Sequence, residues 1–280
     1  MRTTTSELTS FYDGALGSLA AHHVTTKLAE AWGTAQGQRV AGFGYVSPFM
    51  GAFTEAERLV ALVPEGAGVR RDEGVPMAVV SDFLWPLPDA SVDRLLIVHG
   101  LEDVSGPRRM LREAWRVLAD DGLMIVVCAN RRGLWALVET TPFSVGRPYS
   151  RRQLDMLLQG AMFAPTAYAT ALHFPPVNHE ALLRVAGSWE RVGSAIGALG
   201  PPFFLPNLAG VNLIEARKSM AVPIKGSKAE VLRGVFAPGV LGPAARYVPA
   251  DSAKTASCAR RLESFGEDGS KRRARRSDRP

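Results

Sequence analysis

The segment Val40-Ala41-Gly42-Phe43-Gly44-Tyr45-Val46-Ser47-Pro48 sets two glycines one residue apart where an apolar run meets a Ser-Pro helix start. Glycine lacks a Cβ, so a ligand can come against backbone N–H groups there. In an open α/β sheet such a turn lies outside the carboxyl ends of the strands, where ligands bind. The pair has two readings, a tight structural turn or one wall of a cofactor pocket. A dinucleotide fingerprint would need a third glycine three positions after the second, where Ser47 stands. The phosphate loop G-x-x-x-x-G-K-[ST] is absent as well, so neither NAD nor ATP is favoured. The other position able to do chemistry is His99, followed by Gly100. An imidazole titrates near neutrality and can act as a general base, or it can simply close a strand end by bonding to backbone. His22, His23, His173 and His179 show no metal-ligand spacing, and Cys128 and Cys258 form neither a disulfide framework nor a thiol pair for zinc. No metal is expected.

These positions need elements to hold them. Phe11 to Trp32 has helical apolar spacing with Ser10 as N-cap and Gly33 past its end. Arg39 to Gly44 reads as a buried strand, and Ser47-Pro48 opens a short helix through Ala56. Further strands are expected at Arg58 to Pro64, Pro76 to Ser81, Val92 to His99 and Leu123 to Ala129. Pro107 to Leu118 is a helix, closed by the turn Asp120-Asp121-Gly122. Ser150 and Gln153 form a capping box for a helix to about Gly160. A strand near Tyr168 to Phe174, a helix from Ala181 to Ile196 and a strand from Val211 to Ala216 complete the order. Continuous apolar runs belong to strands buried on both faces, which implies a mostly parallel sheet covered by helices.

Asp82-Phe83-Leu84-Trp85-Pro86-Leu87-Pro88-Asp89-Ala90-Ser91-Val92-Asp93, followed by Arg112-Glu113-Ala114-Trp115-Arg116-Val117-Leu118 and Asp121-Gly122, resembles the class I S-adenosylmethionine-dependent methyltransferases of the type-11 group. Their "LPFPD-x-SFD" stretch enters the fourth strand and their "REx-xRVLxPGG" precedes the fifth. The resemblance is strong from Arg39 to Asn130 and weaker on to Met220. It implies an α/β, Rossmann-like seven-stranded methyltransferase sheet, mostly parallel with an antiparallel last strand, and helices on both faces. It also implies S-adenosylmethionine as cofactor. Gly42 and Gly44, with Phe43 and Tyr45 between and after them, would face its methionine part. Asp82 and Phe83 would lie near adenine, and His99 and Gly100 would line the reacting end, with His99 as the candidate catalytic base. Phe11 and Tyr12 would cover the pocket as a lid. The pattern departs from the family at Val40, where an acid normally holds the methionine amino group, and at Val46, where a third glycine is usual. The ribose acid is absent unless Glu65 or Glu73 substitutes.

The resulting organisation is a leading helix or lid over residues 1–38, a methyltransferase-like domain over 39–220 and a Gly/Pro-rich extension with a basic, disordered tail over 221–280. The 280 residues carry a net charge of +6, and nine Lys or Arg against five Asp or Glu fall between Asp251 and Pro280. With no aromatic interleaved in the basic run and no recognised binding motif, that excess does not argue for nucleic acid. No apolar stretch approaches the length of a membrane span, and a cytoplasmic location is expected. Methyl transfer to a small acceptor is the implied activity. The alternative is a degenerate methyltransferase-fold protein that binds or regulates, suggested by Val40 and Val46. Arg131, Arg132, Arg147, Arg151 and Arg152, with Trp135, Phe143 and Tyr149, would suit an anionic acceptor with an apolar part, and would equally serve as a solvated rim over a hydrophobic anchor.

Overall fold

A computed structural model of the chain describes residues 5–67, 74–138, 141–177, 188–190, 192 and 209–219. The apolar runs form β1 (Arg39–Gly44), β2 (Arg58–Pro64), β3 (Met77–Val80), β4 (Val92–Val98), β5 (Leu118–Ala129), β6 (Phe163–Ala171) and β7 (Val211–Lys218). They make one seven-stranded sheet in the order β3-β2-β1-β4-β5-β7-β6. Strands β1 to β5 pair in parallel, and β7 runs antiparallel to both β5 and β6. The expected sheet is therefore present. The chain winds outward from β1 to β3 and then returns to β4 on the other side of β1, so the topological switch falls between β1 and β4. Gly44 and Val98 face each other there in register.

Alternation along each strand sorts its side chains onto two faces. Val40, Leu96, Val98, Ile125, Val127 and Leu213 pack under the amino-terminal helices. Ala41, Phe43, Leu95, Ile97, Met124 and Val126 pack on the opposite face under α4 (Pro107–Val117) and α5 (Arg151–Gly160). The capping box is in place, with Ser150 accepting from the Gln153 amide and Gln153 reaching back to the Ser150 amide.

Four boundaries differ from the sequence reading. The leading helix is two helices, α1 (Thr5–Asp13) and α2 (Ala15–Trp32), broken at Gly14, whose extended backbone makes it the N-cap of α2. Ser10 lies inside α1 and caps nothing. The break is tight, because a Cβ on Gly17 would sit 2.0 Å from the Phe11 carbonyl oxygen. The helix opened by Ser47-Pro48 is a single turn, α3 (Ser47–Met50), because Phe49, Met50 and Phe53 are drawn into the core at once. The turn at Asp120-Asp121-Gly122 is a bulge within β5: pairing passes from Val92 with Leu118 to Arg94 with Leu123. The strand placed near Tyr168 to Phe174 begins five residues earlier, at Phe163. Most of the helix expected from Ala181 to Ile196 and all of residues 221–280 lie outside the described residues.

The Arg112–Leu118 motif has a structural purpose. Glu113 Oε1 accepts from the Trp85 amide at 2.7 Å and from Arg116 at 2.6 Å, while Arg116 also donates to the Trp85 and Leu87 carbonyls. The pair straps the loop before β4 onto α4 and holds Trp85 against Phe43, ring centroids 4.8 Å apart. Burial pushes the Glu113 carboxyl up, but the Arg116 guanidinium and the Trp85 amide outweigh it and leave the group below the ordinary carboxylate range. A depressed carboxylate stabilises the fold above its unfolded pKa and loses that contribution as pH falls through the folded value. Glu113→Gln should therefore lower stability at neutral pH by about 2 kcal/mol and flatten the acid limb of the stability curve. Thermal melts between pH 7 and pH 3 test this; parallel wild-type and variant curves would refute it.

Candidate functional site

The carboxyl ends of β1, β4 and β5 meet beneath α1. Gly44 has φ +93°, and a Cβ there would lie 2.3 Å from the Val98 carbonyl oxygen. That oxygen accepts from the Tyr45 amide at 2.8 Å, so the β1 turn is bonded directly to the end of β4. Gly44 is thus required by the approach of two strands. Gly42 is filled from within: a Cβ would meet Val46 Cγ2 at 2.7 Å and Met50 Sδ at 2.9 Å. Phe43 is fully buried on the opposite face against Trp85. Of the two readings of the glycine pair, the turn is a packed one, with Val46 and Met50 against Gly42.

Tyr45 is buried too. Its ring stacks on Tyr12 of α1 at 5.3 Å and 16°, and its hydroxyl donates to Thr9 at 3.2 Å. Tyr12 reaches over the strand ends, where its hydroxyl lies 2.8 Å from His99 Nε2. Burial, then the neighbouring Tyr45 and Glu102, push the Tyr12 phenol well above its usual value, so it keeps its proton and can donate to the imidazole. His99 has φ +49°, a left-handed conformation that costs about 1 kcal/mol in a residue with a Cβ. The turn is fixed by its amide donating to the Val127 carbonyl and by its ring, edge-on to Phe143 at 5.2 Å. Gly100 follows because a Cβ there would strike the Phe43 ring at 2.9 Å.

The sequence reading passed over Glu102, which stands three residues after His99 and has its side chain 5% exposed. Oε1 accepts from the Ala129 amide at the end of β5, 2.8 Å away, and lies 3.5 Å from His99 Nδ1. Oε2 is buried without a hydrogen-bond partner. An unsatisfied buried polar atom costs about 1 to 3 kcal/mol. Glu102 is also among the residues lining a cavity of about 10 Å³, with Leu8 of α1, His99 and Asp103. That is room for about one water molecule. Tyr12, His99 and Glu102 thus adjoin one another from α1 to the end of β5.

The other expected residues are distributed differently. Asp82 and Phe83 follow β3, half-buried, with the Arg109 guanidinium 4.7 Å from the Phe83 ring. Glu65 is exposed just past β2, its amide bonded to the Val80 carbonyl, so it shares that edge of the sheet. Glu73 lies outside the described residues. Trp135 and Phe143 are core, joined edge-on to each other and to Phe11, and the Trp135 indole N–H is committed to the Phe174 carbonyl. Arg131, Arg132, Arg147, Arg151 and Arg152 are exposed, and Arg151 lies over the Tyr168 ring. Cys128 is buried and its thiol pushed well up by that burial, so it is no nucleophile. Among the described residues no three His, Cys, Asp or Glu side chains gather as a metal site, and no helix is long and apolar enough to cross a membrane.

Comparison with known proteins gives one family. Residues 42–126 match the methyltransferase domain family. The uncharacterized protein YafS of Escherichia coli strain K12 is 34% identical over 114 residues, 38% of this chain and 47% of YafS. The chain thus spans about half the length of that relative. Among solved structures, a chain of the complex between the Haloferax volcanii Trm112 methyltransferase activator and a methyltransferase matches with TM-score 0.51 at 14% identity, over 76% of this chain and 97% of that one. A SAM-dependent methyltransferase from Aquifex aeolicus matches with TM-score 0.45 at 16% identity, over 60% and 93%. The Haloferax likeness is one of fold.

The packed turn makes a direct prediction. Gly44→Ala should lower stability by about 1 to 3 kcal/mol, because it adds a Cβ at positive φ against a carbonyl. Gly51→Ala, with nothing within 4 Å of its Cβ, should change stability by less than about 0.5 kcal/mol. Denaturant titration of both variants decides, and equal effects would show that the β1–β4 contact does not constrain Gly44.

Proposed function

We propose, from the premise that residues 42–126 form a methyltransferase-family domain on a seven-stranded class I sheet, that the chain catalyses S-adenosylmethionine-dependent methyl transfer to a small acceptor. The observation that carries this reading is the convergence of Tyr12, His99 and Glu102 at the β1–β4 switch point, where an open α/β sheet binds its ligand. When bound, the cofactor supplies a methyl group already activated on a sulfonium, so the protein has mainly to align and exclude water.

The nucleoside half of that cofactor would lie by the ends of β2 and β3, where Glu65 would accept from ribose hydroxyls and Asp82 and Phe83 would adjoin adenine; the half-burial of Asp82 and Phe83 past β3 supports this. Glu102, a buried carboxyl with one oxygen unbonded, supports a polar reacting end beside His99. The amino-acid half would lie by Gly42, Gly44, Tyr45, His99 and Gly100, beneath Tyr12. Val46 and Met50 fill the turn at Gly42, and Tyr12 covers Tyr45 and His99, so this half would seat beside Gly44 with Tyr12 of α1 moved away. His99, with Nδ1 turned to Glu102, would present Nε2 to a proton leaving the acceptor once the Tyr12 hydroxyl has moved away.

The filled turn also favours a second reading, a methyltransferase-fold protein that binds or regulates without turnover. Calorimetric titration of the full chain with S-adenosylmethionine, followed by an assay of methyl transfer into a cell extract, separates the two. Micromolar binding with methyl transfer is expected for the enzyme, and no transfer, with or without binding at millimolar cofactor, would leave the second reading.

A further inference from the structure

The chain leaving β5 sets arginines around exposed aliphatic side chains. From Arg131 to Arg152 it carries five arginines, no lysine and a single acid, Glu139. Arg131, Arg132 and Arg147 are exposed, whereas the acids behind the loop, Glu102 and Asp103, are buried and half-buried. Leu134–Leu137 is one 3₁₀ turn, in which side chains three apart stand on the same side. Leu137 is 73% exposed, Leu134 is exposed with it, and Val145 is exposed beside Arg147.

This display is fixed by the core. Asn130 accepts from the Gly133 amide at 2.8 Å and from the Arg132 amide at 3.2 Å, so the arginine pair sits on a closed turn. Trp135, between the two leucines, is fully buried, its indole N–H donating to the Phe174 carbonyl and its own carbonyl accepting from the Thr141 hydroxyl at 2.8 Å. The Arg131 amide donates to the Tyr149 carbonyl at 3.3 Å, which draws the end of the Arg147–Tyr149 segment alongside. Leu134 and Leu137 are thus held in water by an anchored turn, and clustered exposed aliphatics mark a surface that meets a partner.

Positive charge around aliphatic bulk fits a partner that is anionic outside and hydrocarbon beneath. Guanidiniums bind phosphates, and leucines beside them gain by leaving water. Nucleic acid would offer the phosphates too, but it stacks its bases on exposed aromatic rings, and here Trp135 and Phe143 are buried. We propose that this rim docks on an anionic phospholipid bilayer, with Leu134 and Leu137 entering the headgroup region and Arg131, Arg132 and Arg147 on the phosphates. Val145 is also among the residues lining the small hollow beside His99, so the docked face adjoins the candidate site. The docking stands independently of methyl transfer.

The test is sedimentation of the full chain with sucrose-loaded vesicles in about 0.1 M sodium chloride, where surface charge is only partly screened. Vesicles of phosphatidylglycerol mixed with phosphatidylcholine are expected to bind at least about tenfold more tightly than phosphatidylcholine alone. The basic stretch from Lys271 to Arg276 is present in every sample, so differences between variants report the rim. Leu134→Ser combined with Leu137→Ser should weaken binding to the mixed vesicles at least about tenfold, and Arg131→Ala combined with Arg132→Ala by a similar factor. Val79→Ser, at a 55% exposed position on β3 at the far edge of the sheet, should leave it unchanged. If circular dichroism shows the leucine double variant unfolded, Leu137→Ser alone is measured, with a loss of at least about threefold expected. No preference for the anionic vesicles, an undiminished affinity in the folded leucine variant, or an equal loss in Val79→Ser overturns the proposal. Loss in the arginine variant alone would make the rim a general polyanion surface and overturns it as well.

Discussion

The 2.8 Å hydrogen bond from the Tyr45 amide to the Val98 carbonyl joins the two strands between which the sheet changes direction. It requires Gly44 at positive φ, because no side chain fits between the turn and that carbonyl. It aims Tyr45 upward into the Tyr12 stack, which brings α1 over the strand ends. It also fixes where β4 stops, so that His99 turns left-handed and swings its ring toward Tyr12 and Glu102. The arrangement of the site follows from one close backbone approach.

That approach accounts for what the glycine pair does. Gly44 is needed here because β1 and β4 converge, and Gly42 because Val46 and Met50 pack against it. What opens such a turn to a cofactor is the absence of bulk just beyond it, and here Val46 and Met50 supply bulk. A buried acid, Glu102, stands past the end of β4, among the residues that line a small hollow with His99 and Ala129.

Much of this architecture was legible in the sequence because burial on both faces writes itself as apolar runs. β1, β2, β4 and the capped start of α5 could be read directly, and the Arg-Glu-x-x-Arg stretch marked the helix that straps the Trp85 loop. The break at Gly14 was not legible, since Ala15 to Trp32 continues the helical period of Phe11 and Tyr12, while Thr5 to Ser10 offers a single apolar residue, Leu8. Nor was the filling of Gly42 by Val46 and Met50, which depends on how a one-turn helix packs. Glu102 could have been found: an acid three residues after a candidate base at a strand end is the spacing that brings the two together around a tight turn.

The central claim is that α1 closes a cofactor site at the β1–β4 switch point and yields it when the cofactor binds. A crystal structure of the full chain grown with S-adenosylhomocysteine tests this most directly. The account predicts density for the nucleoside beside Asp82 and Phe83, density for the amino-acid end beside Gly44, and Tyr12 parted from Tyr45. Tyr12 still stacked on Tyr45, with no nucleoside at the ends of β2 and β3, would contradict it.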